Sequence, residues 1–320
     1  MRTVDAACLG LVGWVLLLGC GSSGDETDGA STTPSGSGAG ASGTGASGSG
    51  ASGSGASGGA GASTGAGATG GGGGAVASPG CGKASPTGVD ADGSITVGGE
   101  ARSFVLSVPD SYDPDTPMPL VFAWHGAGGE GSLARLYFGV EEASGGAAIF
   151  VYPDGLVVQP QNASGWDLES DGKDVALFDA LLEQLSNDYC IDGARVFATG
   201  HSFGGYMSNT LGCARSSVLR AIAPVAGGGP FGGGCDPGSL SAWLAHGTND
   251  PTVDIAQGES SRDHWLDHAS CSSSSQPATP EGCVEYDGCS MERVVWCTHD
   301  EGHNWPDLAP DGIWGFFASF

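Results

Sequence analysis

The chain reads RVFATGHSFGGYM from Arg195 to Met207. A short apolar run typical of a buried strand leads into Gly200-His201-Ser202-Phe203-Gly204, and a helix-compatible segment follows. A strand, a G-x-S-x-G turn and a helix form a nucleophile elbow, in which the serine backbone is strained and both flanking positions require glycine. The stretch therefore predicts that Ser202 is presented at the carboxyl edge of a sheet.

The motif by itself selects poorly in a chain with 60 glycines. Residues 55–59 and 61–65 also match G-x-S-x-G, but no strand-like run precedes either match. The strand and helix around Ser202, and not the pattern alone, identify it as the candidate nucleophile.

Residues 1–20 are typical of a secretion signal, with Arg2 ahead of an apolar run that is too short to span a bilayer. The run ends in Leu17-Leu18-Gly19-Cys20, which resembles the lipobox of bacterial lipoproteins. That resemblance implies cleavage before Cys20 and attachment of lipid to its sulfur. The alternatives are an ordinary signal peptide and a short buried anchor.

Residues 21–80 consist almost wholly of Gly, Ser, Ala and Thr. Such a segment cannot bury enough apolar surface to offset its chain entropy, so we expect a disordered tether. Residues 81–320 have the length and composition of a single domain with a substantial core. The net charge of −26 argues against nucleic acid or anionic lipid as a partner and is compatible with a neutral substrate.

Eight of the ten cysteines lie in residues 81–320, and an even count in an exported chain predicts disulfides. The pairing does not follow from the sequence; we expect Cys283–Cys289 and Cys271–Cys297 to close the last insertion. No C-x-x-C spacing occurs, so we expect neither a zinc site nor any other metal or organic cofactor.

Strand-like and helix-like segments alternate along the domain, which predicts an α/β fold with a mainly parallel sheet and active residues at the carboxyl ends of its strands. The strand-like segments are 94–97, 103–108, 119–124, 147–152, 196–198, 221–226, 240–246 and 293–297. The helix-like segments are 132–142, 174–189, 203–211, 256–268 and 313–319.

A serine nucleophile requires a histidine base and a carboxylate, which follow the serine in the order acid, then base, in folds of this kind. Asp250 follows the strand at 240–246 and His303 follows the strand at 293–297, so both fall where they can reach Ser202. Asp254 is the alternative acid and His299 the alternative base.

Three other histidines are not expected to act as the base. His264 and His268 share one face of a predicted helix and are not expected to act chemically. His201 precedes the nucleophile, and because neighbouring residues of a strand point to opposite sides, we expect it to support the site or contact substrate.

An oxyanion hole requires two amides, one from the residue after the nucleophile and one from the loop after the third strand. Phe203 supplies the first at a helix N-terminus. The loop His125-Gly-Ala-Gly-Gly129 has small residues that let its backbone approach a carbonyl, and either Gly126 or Ala127 is expected to donate. Trp166 and Trp305 fall in predicted loops at the same edge and could stack on substrate or pack beneath the loops.

Residues 81–306 resemble the secreted feruloyl esterase and polyhydroxybutyrate depolymerase-like family of α/β-hydrolases, which includes acetyl xylan esterases. The resemblance implies an α/β-hydrolase fold, with Ser202 as nucleophile, Asp250 as acid and His303 as base. Glu301 departs mildly from the family pattern, which often has glycine there. The matching segments are 124–129, 165–167, 174–180, 189–192, 195–207, 223–227, 246–251 and 302–306.

The resemblance implies a secreted serine esterase acting on feruloyl or acetyl esters of plant cell-wall xylan. It leaves open a depolymerase of short-chain polyhydroxyalkanoates, and a catalytically inactive surface protein is the alternative from another class. We expect a monomer whose partner is an ester-bearing polysaccharide or polyester. We also expect it to be extracellular, or held at the bacterial outer membrane or cell surface through Cys20 alone.

Overall fold

A computed structural model describes residues 75–160, 162–231, 235–290 and 292–320. The predicted signal segment, the lipid attachment at Cys20 and nearly all of the predicted tether lie outside these residues. Among the helices described, none is both long enough and apolar enough to cross a membrane.

The fold is built on a ten-stranded sheet, with a separate two-stranded ribbon beside it. The sheet contains β1 (Gly88–Val97), β2 (Glu100–Val108), β3 (Met118–Trp124), β4 (Ile149–Pro153), β7 (Ile191–His201), β8 (Ala221–Val225), β9 (Ser241–Gly247), β10 (Ser275–Ala278), β11 (Cys283–Tyr286) and β12 (Val294–His299). The ribbon pairs β5 (Leu156–Val158) with β6 (Ala163–Gly165).

The strand order is β1-β2-β4-β3-β7-β8-β9-β12-β11-β10. The six strands from β4 to β12 in this order run parallel, while hairpins at both edges are antiparallel. The carboxyl ends of β3, β7, β9 and β12 therefore meet at one edge of the sheet, where the predicted site residues follow them.

Helices cover both faces of the sheet. They are α1 (Gly131–Phe138), α2 (Val140–Ala143), α3 (Lys173–Asp188), α4 (Phe203–Ala214), α5 (Ile255–His268) and α6 (Ala309–Phe317). Residues of α3, α4 and α5 pack in one apolar core, and residues of α1, α2 and α6 pack in the other. Along β3, Phe122 belongs to the first core and Val121 to the second, as the alternation of a strand requires. The α/β-hydrolase architecture expected from the sequence is confirmed.

One predicted helix differs from the structure, and two observed hairpins were not predicted. The helix expected over 132–142 is divided into α1 and α2 by Gly139, which has φ 66°. A glycine in this left-handed conformation commonly ends a helix. The β5–β6 ribbon and the β10–β11 hairpin were not predicted, because their strands have only three or four residues each.

The domain begins earlier than residue 81. Val76 donates its amide to Asp192 Oδ1 at 2.8 Å, and Gly80 donates its amide to the carbonyl of Ser186 at 2.8 Å. The hydroxyl of Ser78 donates to the carbonyl of Tyr189 at 2.6 Å. Residues 76–80 therefore belong to the folded domain and not to the tether, because their backbone is hydrogen-bonded to the end of α3 and the start of β7.

Eight cysteines form four disulfides, Cys81–Cys190, Cys213–Cys235, Cys271–Cys289 and Cys283–Cys297. The disulfide framework is confirmed, but the predicted pairs Cys283–Cys289 and Cys271–Cys297 are wrong. The register of β11 against β12 places Cys283 directly opposite Cys297. The chain then returns to the end of α5, where Ser290 donates its amide to Ala269, and this brings Cys289 to Cys271.

Candidate active site

The elbow places Ser202 between the end of β7 and the start of α4, with φ 56° and ψ −117°. This is strained backbone for a residue other than glycine. A Cβ on Gly200 would lie 2.7 Å from the carbonyl oxygen of Trp124, and one on Gly204 would overlap the same oxygen. The two flanking glycines are therefore required because β3 passes directly beside the turn.

The structure brings together the three side chains predicted from different strand ends. His303 Nε2 lies 2.8 Å from Ser202 Oγ, and His303 Nδ1 lies 2.6 Å from Asp250 Oδ2. The side chain of Asp250 is fully buried and that of His303 is 17% exposed. Asp254 instead caps α5 by accepting the amide of Ala256 at 2.9 Å, and His299 is buried within β12. Neither alternative residue enters the hydrogen-bonded chain.

The surroundings of Asp250 keep its carboxylate ionised. Burial favours the neutral acid, but hydrogen bonds from His303 and from the amides of Val253 and Thr252 outweigh it and lower the pKa of Asp250. Both amides donate to Oδ1, at 2.9 and 2.8 Å, which leaves Oδ2 directed at the imidazole. The carboxylate can therefore fix which ring nitrogen of His303 carries the proton.

The loop after β3 lies against the nucleophile. A Cβ on Gly126 would be 3.4 Å from Ser202 Cβ, so the backbone of this loop lies close to the nucleophile. The amide of Gly128 already donates to Ser164 at 2.8 Å, and that of Gly129 donates to Gly126 at 3.0 Å. The amides of Gly126 and Ala127 remain the candidates from this loop, as predicted.

Phe203 supplies the other candidate amide. It is the first residue of α4, where the opening amides have no acceptor within the helix. Such amides, together with the helix dipole, favour negative charge in front of them. An oxyanion formed beside Ser202 would lie between this amide and the β3 loop.

His125 holds that loop in place, a role that was not predicted from the sequence. Its Nδ1 donates to the carbonyl of Gly126 at 2.7 Å, and its Nε2 accepts the amide of Gly155 at 2.9 Å. Burial lowers the pKa of His125, so the neutral ring that makes both bonds is favoured. The sequence feature that could have indicated this role is the position of His125 immediately before the glycine-rich loop.

Trp166 lies beneath the same loop and not on the substrate side. It is 2% exposed, and its Nε1 donates to the carbonyl of His125 at 2.8 Å. Its ring packs edge-on against Trp124 with centroids 4.8 Å apart. Of the two alternatives expected for Trp166, the structure has the packing beneath the loop, because the indole is enclosed by the protein.

Trp305 and His201 lie next to the candidate triad. The Trp305 ring stacks on Phe138, with centroids 4.0 Å apart, and remains partly exposed. The His201 ring lies 5.1 Å from the His303 ring, and Tyr137 Oη lies 3.5 Å from His201 Nδ1. Burial, with the charge of His303 adding to it, lowers the pKa of His201 to about 3. A neutral His201 thus lies beside the candidate base, and Tyr137 joins it unpredicted.

His264 and His268 lie on α5, away from these groups. His264 Nε2 is 3.4 Å from Cys235 Sγ, and the ligand atoms of Cys213, Cys235 and His264 fall within 4.8 Å of one another. Because the two sulfurs are joined in a disulfide, they are not thiolate ligands.

Known proteins resemble this chain both in sequence and in fold. No established family profile matches the chain. Feruloyl esterase C of Emericella nidulans is 38% identical over 261 residues, which cover 76% of this chain and 91% of that protein. Feruloyl esterase D of Neurospora crassa is 33% identical over 274 residues, covering 76% and 90% respectively.

Solved structures support the fold alone. An acetyl xylan esterase from Aspergillus awamori has a TM-score of 0.52 at 16% identity, covering 68% of this chain and 94% of its own. The Bacillus cereus carboxylesterase has a TM-score of 0.51 at 16% identity, with the same two coverages. Because the similarity to the feruloyl esterases extends over about nine-tenths of their length, the chain belongs to the feruloyl esterase family of α/β-hydrolases and is a carboxylic ester hydrolase.

Proposed function

We propose that this protein is a serine esterase that releases ferulate from feruloyl esters on plant cell-wall xylan, with Ser202, His303 and Asp250 as its catalytic triad. The observation that carries the proposal is the pair of hydrogen bonds of 2.8 and 2.6 Å that joins the three side chains. The choice of ferulate as the acyl group comes from the relatives, which are named feruloyl esterases. Acetyl esters of the same polysaccharide are the nearest alternative substrates.

Acylation begins at the Ser202 hydroxyl. Its Oγ attacks the ester carbonyl while His303 Nε2, at 2.8 Å, accepts its proton. Asp250 holds the proton on Nδ1 and stabilises the imidazolium that forms. The imidazolium then gives its proton to the alcohol oxygen as the carbon–oxygen bond breaks. In deacylation His303 accepts a proton from the attacking water and then donates it to Ser202 Oγ as the acid is released.

Stabilisation of the oxyanion falls to backbone amides. The amide of Phe203 and one from Gly126 or Ala127 donate to the carbonyl oxygen when it becomes negative. Removal of a single oxyanion donor typically costs on the order of 10²–10³ in kcat. Because these donors are backbone groups, substitution of their side chains leaves them in place unless the loop itself moves.

The test is Ser202→Ala, assayed on methyl ferulate and on feruloylated arabinoxylan. We expect a loss of kcat on the order of 10⁴-fold or more, with an unchanged circular dichroism spectrum, because the triad acts as a unit. A fluorophosphonate probe should label the wild type at Ser202 and leave the variant unlabelled. Turnover retained by the variant, or no labelling of the wild type, would contradict the triad.

Substrate identity needs a separate comparison. Release of ferulate from arabinoxylan, of acetate from acetylated xylan and of hydroxybutyrate from polyhydroxybutyrate should be measured with one preparation. We expect the highest kcat/KM for the feruloyl ester. A protein that acts best on the polyester would instead be a depolymerase.

We further propose that the protein is exported and held by lipid at Cys20. Four disulfides are typical of oxidising compartments, and residues 17–20 resemble a lipobox. Expression in a Gram-negative host should place the wild type in the membrane fraction with a mass increment of the lipids. Cys20→Ala should abolish both; an unmodified wild type would overturn the anchor and leave the esterase untouched.

A further inference from the structure

Tyr137 is an exposed aromatic residue beside the triad that the proposed chemistry does not use. It lies in the last turn of α1, is 43% exposed, and its ring centroid is 6.2 Å from His201. His201 in turn lies 5.1 Å from His303. Tyr137 is therefore separated from the candidate base by one ring.

The position of Tyr137 is fixed by its neighbours. Its ring packs edge-on against Phe138 at 4.7 Å and against Trp305 at 6.3 Å, with interplanar angles of 80° and 88°. Trp305 is tied to the same turn, since its Nε1 donates to the carbonyl of Phe138 at 2.9 Å. These contacts fix the orientation of the Tyr137 ring and leave part of its surface exposed to solvent.

The two ends of the Tyr137 side chain differ in environment. The hydroxyl faces His201 Nδ1 at 3.5 Å, and burial of this end raises the pKa of Tyr137. The phenol therefore stays protonated across the working range of an esterase. Its ring offers an apolar face, and its hydroxyl can donate to a neighbouring oxygen.

The direction of proton transfer determines which half of a substrate meets this residue. His303 Nε2 must give its proton to the departing alcohol oxygen, so the alcohol half lies on the imidazole side of Ser202. The group formed by Tyr137, His201 and Trp305 lies on that side, since His201 contacts the His303 ring. The acyl half extends away from the imidazole.

We propose that Tyr137 determines specificity for the alcohol half of the ester, by stacking on the sugar ring that carries the acyl group. This inference rests on the proposed function, which makes the alcohol a sugar of the polysaccharide. Sugar rings present C–H groups on one face and hydroxyls at the edge, which matches an aromatic face with a phenol at its end. A small alcohol such as methanol has no group that could reach the ring.

The experiment holds the acyl group constant and changes the alcohol. The values of kcat/KM for methyl ferulate and for a feruloylated arabinoxylan oligosaccharide are compared in the wild type, Tyr137→Ala, Tyr137→Phe and Leu136→Ala. We expect Tyr137→Ala to lower kcat/KM for the oligosaccharide about tenfold, mainly through KM, as for loss of an aromatic anchor. The value for methyl ferulate should change by less than about twofold. Tyr137→Phe keeps the ring and should lose about fivefold at most, the net contribution of one typical hydrogen bond.

Leu136→Ala is the matched control, because Leu136 is the preceding residue of α1 and is 74% exposed. We expect Leu136→Ala to leave kcat/KM unchanged for both methyl ferulate and the oligosaccharide. Equal losses on both esters in Tyr137→Ala, or no loss on either, would overturn the inference while leaving the esterase intact. A wild type that hydrolyses neither feruloyl ester would overturn the proposed function first, and the inference with it.

Discussion

Replacing Asp250 with Asn should disable the base by reversing its proton arrangement. Asp250 Oδ1 accepts the amides of Thr252 and Val253 at 2.8 and 2.9 Å, so the asparagine oxygen is expected to occupy that position. The amide nitrogen then replaces Oδ2, which lies 2.6 Å from His303 Nδ1. An NH₂ group there can only donate, so Nδ1 must accept and the ring proton moves to Nε2.

An imidazole that carries its proton on Nε2 cannot accept one from Ser202. Removing the correct tautomer while preserving geometry lowers kcat by about 10⁴ in the chymotrypsin-type triad, and we expect a loss of that order here. The fold should persist because the side chains have the same shape. Loss of a charge-assisted hydrogen bond should lower the free energy of unfolding by about 1–3 kcal/mol.

The assay is kcat on methyl ferulate with urea unfolding in parallel, and the matched control is Asp254→Asn. Asp254 caps α5 at 2.9 Å, and asparagine caps helices about as well as aspartate, so activity should stay within about twofold of wild type. If Asp250→Asn kept more than about a tenth of the wild-type kcat, the tautomer argument would fail. Equal losses in both variants would refute the assignment of the acid.

Three further outcomes follow from the same contacts. Gly204→Ala drives a methyl group into the carbonyl of Trp124 and should cost about 3 kcal/mol or more of unfolding free energy in urea; an unshifted midpoint would be inconsistent with the elbow. The pKa of His201 in the folded protein is about 3, so only the unfolded chain takes up a proton at this residue as pH falls below 6.5. The resulting loss of unfolding free energy, about 2 kcal/mol from pH 7 to 5, should be absent from His201→Phe. An identical pH dependence of stability in both proteins would contradict this. In the double variant Cys283→Ser, Cys297→Ser, the free energy of unfolding measured by thermal denaturation should fall by about 3 kcal/mol. A Tm equal to that of the wild type would count against a disulfide between these residues.

The arrangement of the proposed triad was predictable because the chemistry of a serine nucleophile restricts both residue type and position. Gly200 and Gly204 are required by the passage of β3 beside the elbow, so the sequence carries a visible sign of the turn. Asp250 and His303 follow strands that run parallel to β7, and parallel strands end at one edge. Chain order and strand ends were therefore sufficient to assemble the site.

The errors concern relations that depend on contacts distant along the chain. Pairing of Cys283 with Cys297 follows from the register of β11 on β12, which a short strand does not encode in its own residues. The sequence left open whether Trp166 faces substrate or packs beneath the loop, because loop position says nothing about which side of the loop an indole occupies. Its burial depends on Trp124 and His125, which lie about forty residues earlier.

The β3 loop, the proposed source of an oxyanion donor, is held by hydrogen bonds at both ends. Ser164 accepts the amide of Gly128 at 2.8 Å and donates its hydroxyl to Gly129 at 2.6 Å, so the β5–β6 ribbon holds the loop from one side. Gly131, just past the loop, donates its amide to Asp154 at 2.7 Å, which secures the other end. Donors held in this way need no reorganisation when charge develops, which is the condition for effective oxyanion stabilisation. Exposed positions such as Tyr137 carry none of these bonds, so substitutions there can change the alcohol that is accepted without disturbing the chemistry.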